Sequence, residues 1–282
     1  MADDLRKAWN DVASHWDDWG SPLRPCAEDL HRMRDALQRW LAKNPVERLQ
    51  VFLCGVTPEI VTMSWPCPIE LISMDQAQRM IDVVWPGDVP GVRRAVAGNW
   101  LNSGLPAGSQ DVIINDGGFV FFDYPDGLRG LFAALRKLLR PGGLFIGRDF
   151  AQVSPRESLS QVIDAALGGR IGNFHIFKWR LAMSLQVGRN EGIRHHDIWQ
   201  AWKDSGIDPT RLPQPGWSER AVGTIEFYRD SQARLRFPTL EEFRTVLAEE
   251  FENIEVTYPG YELGERCPVV TAQPKNSDTV SG

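Results

Sequence analysis

A glycine and an acidic residue follow two short apolar runs in the first half of the chain, and their types suit the binding of a nucleoside. Gly55 follows the run 49–54, and Asp75 follows the run 69–74 about twenty residues later. A glycine lets the backbone approach a ligand closely, and a carboxylate accepts hydrogen bonds from both hydroxyls of a ribose. This order of residues indicates a site for an adenosine-containing cofactor.

Two observations limit that interpretation. Asp75 directly precedes a predicted helix, 76–84, so capping of this helix is the structural alternative to ribose binding. The loop after Gly55 contains a single glycine, whereas folds that bind NAD or FAD use the pattern G-x-G-x-x-G to place a pyrophosphate on a helix N-terminus. The sequence therefore disfavours a dinucleotide cofactor.

Two further apolar runs are followed by polar residues. Asn99 and Trp100 come after the run 93–98, where the amide suits the edge of an adenine and the indole suits stacking on its ring. A turn with Trp100 in the core is the alternative. Asn115 ends the next run, 111–115, and Asp116 follows it.

The elements that must position these residues alternate between strand and helix. Buried strands are predicted at 49–54, 69–74, 93–98, 111–115 and 144–150, with helices at 58–64, 76–84 and 125–139 between them. This order is typical of a doubly wound sheet, which binds ligands at the carboxyl ends of its parallel strands. The predicted fold class is α/β: a Rossmann-like, mostly parallel sheet with an antiparallel C-terminal strand, N-terminal helices and a helical insertion before the last strands.

The periodicity of apolar residues divides the chain into four regions. Amphipathic helices are predicted at 3–19 and 27–42, a helix at 240–250, and a closing hairpin at 254–258 and 268–272. We expect a helical cap at 1–45, a cofactor-binding core at 46–150 and 240–274, an inserted substrate or lid region at 151–239, and a disordered tail at 275–282.

The order of these pieces over 46–150 and 240–274 resembles the class I S-adenosylmethionine-dependent methyltransferases. The most specific match is LRKLLRPGGLFI at 135–146, which is similar to the family's helix, L-x-P-G-G turn and fifth strand. The resemblance implies that Asp75 holds the ribose of the cofactor, S-adenosyl-L-methionine, and that the turn at 98–100 contacts its adenine. It also implies that Asn115 and Asp116 lie near the transferred methyl group.

The first loop departs from the family's D-x-G-x-G-x-G pattern. Leu53 stands at the position of the acid, and Thr57 and Glu59 replace the later glycines. The resemblance implies that these two polar residues face the sulfonium and amino-acid portion of the cofactor; a loop that no longer binds cofactor is the alternative. The predicted cofactor-binding residues are Gly55, Thr57, Glu59, Asp75, Gln76, Asn99, Trp100, Asn115 and Asp116.

Residues of the insertion are candidates for contact with the substrate. His175 and Trp179 share a face of a predicted helix, and His175 suits a base or a substrate-orienting group, with a buried histidine as the alternative. The predicted substrate-binding residues are His175, Lys178, Trp179, Arg180, Tyr228 and Tyr261, and the predicted catalytic residues are His175, Asp116 and Tyr124. Adjacent histidines diverge by about 100° on a helix, so His195 and His196 do not predict a metal site.

Composition limits the class of partner. The net charge is −6 and there is no run of about 18 apolar residues, which argues against nucleic acid and membrane as partners. The four cysteines lack a C-x-x-C pair, and the N-terminus has no secretory pattern, so we expect reduced thiols and a cytoplasmic location. The sequence leaves open whether the chain is a monomer or a homodimer.

The sequence therefore predicts a methyltransferase that acts on oxygen or nitrogen of a small molecule in a biosynthetic pathway. An inactive binding or partner protein with the same fold is the first alternative, and an NAD(P)-dependent oxidoreductase is the second. Tryptophans 9, 16 and 19 are expected either to cover the bound cofactor or to pack against the sheet.

Overall fold

The computed structural model describes residues 9–10, 12–188, 190–213 and 217–275. Its nine strands are β1 (Leu49–Cys54), β2 (Ile69–Asp75), β3 (Arg93–Ala97), β4 (Gln110–Asp116), β5 (Leu139–Arg148), β6 (Ile193–Arg194), β7 (Arg234–Leu235), β8 (Phe251–Thr257) and β9 (Val269–Pro274). Seven of them form one sheet in the order β3-β2-β1-β4-β5-β9-β8, and β6 pairs with β7 separately. Strands β1 to β5 are parallel, whereas β9 runs antiparallel to β5 and to β8. The predicted fold class is confirmed.

Helices cover both faces of the large sheet and form most of the insertion. The α-helices outside the N-terminal segment are Ala27–Leu41, Pro58–Val61, Gln78–Val84, Asp126–Leu138, Leu159–Leu167, Phe174–Leu185, His195–Asp204, Glu219–Gly223 and Leu240–Glu250. Short 3-10 helices occur at Trp16–Asp18, Phe119–Phe121, Pro209–Arg211, Thr224–Tyr228 and Gly264–Arg266. No helix among the described residues is both long and apolar enough to cross a membrane.

The predicted N-terminal helix lies partly outside the described residues. Residues 9–10 and 12–14 are helical, and the chain then tightens into the 3-10 turn Trp16–Asp18. The start predicted at residue 3, and the predicted disorder of 276–282, fall on residues that the structure does not describe.

Three hydrophobic clusters form most of the core. On one face of the sheet, Phe132 of the helix Asp126–Leu138 packs on Phe145 and on Phe243 of the helix Leu240–Glu250. On the other face, Met33 and Leu37 of the helix Ala27–Leu41 pack on the strands. The third cluster consists mainly of insertion residues, including Phe174 and Phe177. The insertion therefore has a core largely of its own.

The turn predicted at 141–143 is a bulge within β5. Leu139 pairs with Gln110, but Leu144 pairs with Val112, so four residues of β5 stand opposite one residue of β4. Gly142 takes a φ of 72°, which a glycine adopts without strain. The Gly142 carbonyl also accepts a hydrogen bond of 2.8 Å from the Trp40 indole nitrogen, so the bulge anchors the first long helix.

We expect Gly143→Ala to lower the free energy of unfolding by about 1 to 3 kcal/mol, because the new methyl group would lie 3.0 Å from the carbonyl oxygens of Arg140 and Asp111. Gly130→Ala is the control: this exposed glycine lies within a helix with nothing within 4 Å of the added carbon, and alanine there should stabilise by about 1 kcal/mol. Urea denaturation measures both. Equal stability of the two variants would contradict the requirement for a glycine at position 143 of the bulge.

Candidate active site

An open cavity of about 320 Å³ lies at the carboxyl ends of β1, β2 and β4. Three parts of the chain line it: the N-terminal segment with three tryptophans, the loops after the parallel strands, and the insertion. Among the sequence-predicted cofactor residues, those on the cavity wall are Gly55, Thr57, Asp75, Gln76, Trp100 and Asp116. We call the part of the cavity formed by these six residues the nucleoside end.

Gly55 turns the chain away from β1. Its φ is 98°, a conformation that disfavours other residues, and no atom lies within 4 Å of where a side chain would begin. The Gly55 amide donates to the Met74 carbonyl at 2.8 Å, and the Ser73 hydroxyl donates to the Gly55 carbonyl. The loop is thus held to β2 on one side and open to the cavity on the other.

Asp75 ends β2 at the wall of the cavity. Its Oδ1 accepts a hydrogen bond of 2.8 Å from the Ala77 amide, which delays the start of the next helix to Gln78. Burial raises the pKa of Asp75 to about 6. A carboxylate offers about four acceptor sites, so this contact with the helix leaves capacity for a ligand. Helix-end bonding and ribose binding are therefore compatible here.

Trp100 lies across the cavity wall with its position fixed by β2. Its indole nitrogen donates to the Met74 carbonyl at 2.6 Å, and its ring packs on Phe122 at a centroid distance of 6.1 Å. A side chain on Gly118 would lie 2.9 Å from the indole and 2.7 Å from Asn115 Oδ1. The absence of a side chain at Gly118 therefore leaves room for the Trp100 and Asn115 side chains.

A buried ion pair lies behind the cavity wall at Asp116. The Asp116 Oδ1 accepts a hydrogen bond of 2.5 Å from Nε of Arg148, and the Arg148 side chain is 1% exposed. A second carboxylate, Asp29, lies 3.8 Å from Arg148 Nη1 and accepts a hydrogen bond of 3.0 Å from the Tyr261 hydroxyl. Burial opposes the charge on Arg148, but Asp116 and Asp29 outweigh burial and raise its pKa.

The hydrogen bond from Arg148 limits the contacts that the Asp116 carboxylate can make with a ligand. One of its oxygens is committed to Arg148, and the other lies 3.5 Å from the Thr57 hydroxyl. Asp116 thus connects the loop after β1 with the end of β5, while its cavity-facing position agrees with a ligand contact. The Tyr261 hydroxyl is held by Asp29, and Tyr261 is not among the residues that line the cavity.

Three predicted cofactor residues are not among those that line the cavity. Glu59 accepts a hydrogen bond of 2.6 Å from Nε of Arg24. The Asn99 side chain accepts from the Leu101 amide at 3.0 Å, as in the turn proposed as its alternative. Asn115 is fully buried, and its amide has no hydrogen-bond partner among the described residues.

The predicted substrate residues divide in the same way. Trp179 and Tyr228 line the cavity, whereas His175, Lys178 and Arg180 are not among its lining residues. The ring of His175 stacks on Trp19 and its Nε2 lies 3.1 Å from the Asp18 carbonyl. Arg180 pairs with Glu157.

Lys178 and His175 form part of the support behind the cavity wall. Lys178 is fully buried, donates to the Thr224 hydroxyl at 2.9 Å and lies 3.8 Å from the centroid of the Trp19 ring. Burial, with a smaller effect of Lys178, lowers the pKa of His175 to about 3, so this histidine is neutral. Tyr124, the remaining catalytic candidate, packs at the edge of the core and is not among the lining residues.

Sequence reasoning missed four basic side chains on the wall; Arg234 and Arg236 are two of them, and Arg24 and His195 are the other two. Arg24 lines the cavity, stacks on Trp16 at 4.9 Å and donates to the Trp16 carbonyl at 3.1 Å. His195, which the sequence suggested only as half of a rejected metal pair, also lines it. Neither residue has a local sequence signal, because each reaches the cavity through the packing of segments that are distant in sequence.

The described residues contain no group of three or more His, Cys, Asp or Glu side chains placed to hold a metal ion. The four cysteines, Cys26, Cys54, Cys67 and Cys267, are free thiols.

The chain matches known proteins in structure but not in sequence. No protein-family model matches the chain, and no curated protein matches its sequence. The CurJ carbon methyltransferase is 13% identical with a TM-score of 0.52; the match covers 90% of this chain but only 56% of CurJ. The DhpI complex with S-adenosylhomocysteine is 11% identical over 98% of this chain and 97% of DhpI, with a TM-score of 0.50.

A third similar structure has a different description. A protein of Rhodobacter sphaeroides described as a Zn-dependent alcohol dehydrogenase is 12% identical over 98% of this chain and 100% of that chain, with a TM-score of 0.62. At such identities the likeness concerns the fold. The chain has the fold of the class I S-adenosylmethionine-dependent methyltransferases.

We expect Arg148→Met to lower the free energy of unfolding by about 3 to 5 kcal/mol, because Asp116 and Asp29 would be left buried without their cation. Arg129→Met is the matched control, since this exposed arginine also pairs with two carboxylates, Asp126 and Glu249, in water, where such pairs contribute little. Chemical denaturation of both variants tests the difference. A loss of less than about 1 kcal/mol in Arg148→Met would contradict the proposed role of the pair.

Proposed function

We propose that the chain is an S-adenosylmethionine-dependent methyltransferase that acts on a small molecule. The observation that carries this proposal is the nucleoside end, where the residues after β1, β2, β3 and β4 meet on one cavity wall. Cofactors bind at this edge of a doubly wound sheet. The likeness in fold to CurJ and DhpI supports the proposal.

The residues of the nucleoside end fit this cofactor part by part. Asp75 suits the ribose hydroxyls, and Trp100 offers an aromatic face to the adenine. Gly55 leaves the backbone open, and the cofactor has no phosphate that would need further glycines. Thr57 offers a hydroxyl to the amino-acid portion, and Arg24, which pairs with Glu59, lies on the same wall.

When bound, the cofactor supplies a methyl group that is activated by its attachment to a positively charged sulfur. The chain must align an incoming nucleophile with this group and exclude water, since alignment supplies much of the rate of an in-line displacement. The aromatic side chains opposite the nucleoside end suit both tasks, and they are Phe121, Phe150, Trp179, Phe227 and Tyr228. Trp9, Trp16 and Trp19 also line the cavity, and we propose that they cover the bound cofactor.

Asp116 suits an orienting role more than that of a base. Arg148 holds its Oδ1, and its Oδ2 lies 3.5 Å from the Thr57 hydroxyl, so both oxygens have partners that fix the carboxylate in place. His175 and Tyr124 are not among the lining residues, so we assign them no contact with the reacting atoms. The methylated atom, oxygen or nitrogen, depends on the substrate.

Calorimetric titration of the full chain with S-adenosylhomocysteine, NAD and NADP tests the proposal. We expect binding of S-adenosylhomocysteine alone. The Rhodobacter sphaeroides neighbour makes the dinucleotides a necessary comparison. Binding of NAD or NADP alone would favour an oxidoreductase, and binding of none of the three would favour an inactive partner protein.

A pH series with two variants tests the assignment of Asp75. Protonation of a carboxyl whose pKa is about 6 weakens it as an acceptor, so affinity for S-adenosylhomocysteine should fall by up to about tenfold from pH 7 to pH 5. Asp75→Asn should lose about 1 to 3 kcal/mol of binding at pH 7 and show no such dependence. The exposed Asp82→Asn, one turn into the next helix, should behave as the unmodified chain. Unchanged affinity in a folded Asp75→Asn variant would rule out ribose binding by this residue.

A further inference from the structure

His195 stands out among the polar residues of the cavity wall that the nucleoside end does not use. It is 4% exposed, begins the helix His195–Asp204, and lines the cavity. Its ring lies face to face with Tyr228, with centroids 4.0 Å apart and an angle of 11° between the planes. Packing therefore fixes the orientation of the imidazole.

The two ring nitrogens of His195 have different surroundings. Nδ1 lies 3.1 Å from the Ser231 hydroxyl, whereas Nε2 is buried and has no hydrogen-bond partner within the described part of the chain. With Nδ1–H donating to Ser231, Nε2 carries a free lone pair. Buried polar atoms are rarely left without a partner, so the unpaired Nε2 points to a donor supplied by a ligand.

Burial keeps His195 neutral. It lowers the pKa of His195 to about 3, with a smaller effect of the nearby Lys178 side chain, whose own pKa burial lowers. Lys178 lies behind the Tyr228 ring at 5.2 Å, and Arg234 and Arg236 line the same part of the cavity. Tyr228 itself stays protonated, because burial raises the pKa of its hydroxyl. A neutral imidazole accepts a hydrogen bond from a donor and does not attract an anion.

Besides His195, Arg234 and Arg236, this wall contains several aromatic rings. The Phe150 and Trp179 rings meet edge to face at 5.2 Å, and Trp9 and Phe121 meet edge to face at 5.3 Å. These rings present faces and edges suited to a flat, apolar molecule, since aromatic pairs prefer stacked or edge-to-face contact. The Trp179 indole nitrogen is also buried without a partner among the described residues. A planar ligand with a polar group at one edge would match this surface.

We propose that the cavity accepts a planar aromatic alcohol whose hydroxyl donates to His195 Nε2, an inference that rests on the proposed methyltransferase function. In the transfer, a lone pair of the hydroxyl oxygen forms a bond to the methyl carbon as the carbon–sulfur bond breaks and its electron pair passes to sulfur. The hydroxyl proton then passes to Nε2 and from there to water. A weakly basic nitrogen suffices, because the proton becomes strongly acidic as the new carbon–oxygen bond forms.

Three probes test this proposal by calorimetry on the full chain, with and without saturating S-adenosylhomocysteine. 2-Naphthol has the flat rings and the hydroxyl, 2-methoxynaphthalene lacks the donor hydrogen, and decahydro-2-naphthol keeps the hydroxyl on saturated rings. We expect 2-naphthol to bind about tenfold more tightly than either of the others, the scale of one hydrogen bond or one aromatic contact. Equal binding of 2-naphthol and either analogue, or binding of none, would overturn the proposal.

His195→Phe then isolates the ring nitrogen, because phenylalanine keeps a ring against Tyr228 and removes Nε2. In this variant the preference for 2-naphthol over 2-methoxynaphthalene should fall to within about threefold. His196→Phe, at the next position but not among the lining residues, should keep the full preference. Thermal unfolding checks that both variants fold. If His195→Phe does not fold, the three-probe comparison on the unmodified chain still tests the proposal.

These experiments distinguish failure of the His195 proposal from failure of the proposed methyltransferase function. Binding of S-adenosylhomocysteine together with a retained preference in a folded His195→Phe variant would overturn the role of His195 alone. Binding of 2-naphthol with no binding of S-adenosylhomocysteine would leave the aromatic site and overturn the proposed methyltransferase function.

Discussion

The arrangement of the site depends on one buried cation. Arg148 at the end of β5 is held between Asp116 from β4 and Asp29 from the first long helix, and its Nη1 also donates to the Pro22 carbonyl at 2.8 Å. A buried guanidinium tolerates few arrangements, because each lost partner leaves an uncompensated charge. The contact with Pro22 fixes the segment that carries Arg24 and the tryptophans of the cavity wall. The sheet, the first helix and the N-terminal segment therefore share a single fixed point behind the cavity wall.

The sequence predicted the sheet and much of the nucleoside end, because both follow from local order along the chain. Alternating apolar runs define parallel strands, and parallel strands bring their carboxyl ends to one edge, so Asp75 and Gly55 meet whatever the details of packing. Asn99 was harder to place: the same short polar side chain that suits a base edge also bonds to its own backbone in a turn.

The cavity-lining residues of the insertion and of the N-terminal segment could not be predicted in this way. His175 and His195 are both buried histidines in helices of the insertion, and nothing in their neighbouring residues separates them. Their environments differ only because Trp19, from far away in sequence, covers one ring, while the other borders the cavity. Arg24 illustrates the same limit, since its position depends on Glu59 and on the Trp16 ring. A fold of this kind is shared by proteins of different described activities, so the chemistry has to be read from the side chains of the cavity.

The insertion's largely separate hydrophobic cluster has an evolutionary consequence. Residues such as Phe174 and Phe177 belong to this cluster, whereas the strands that carry the nucleoside end pack in two other clusters. Substitutions on the insertion's wall of the cavity can then be absorbed locally, while the loops after the strands keep their geometry. A lineage that carries this architecture is free to diversify in the molecules that its cavity accepts, generation by generation, while the loops after the strands stay the same.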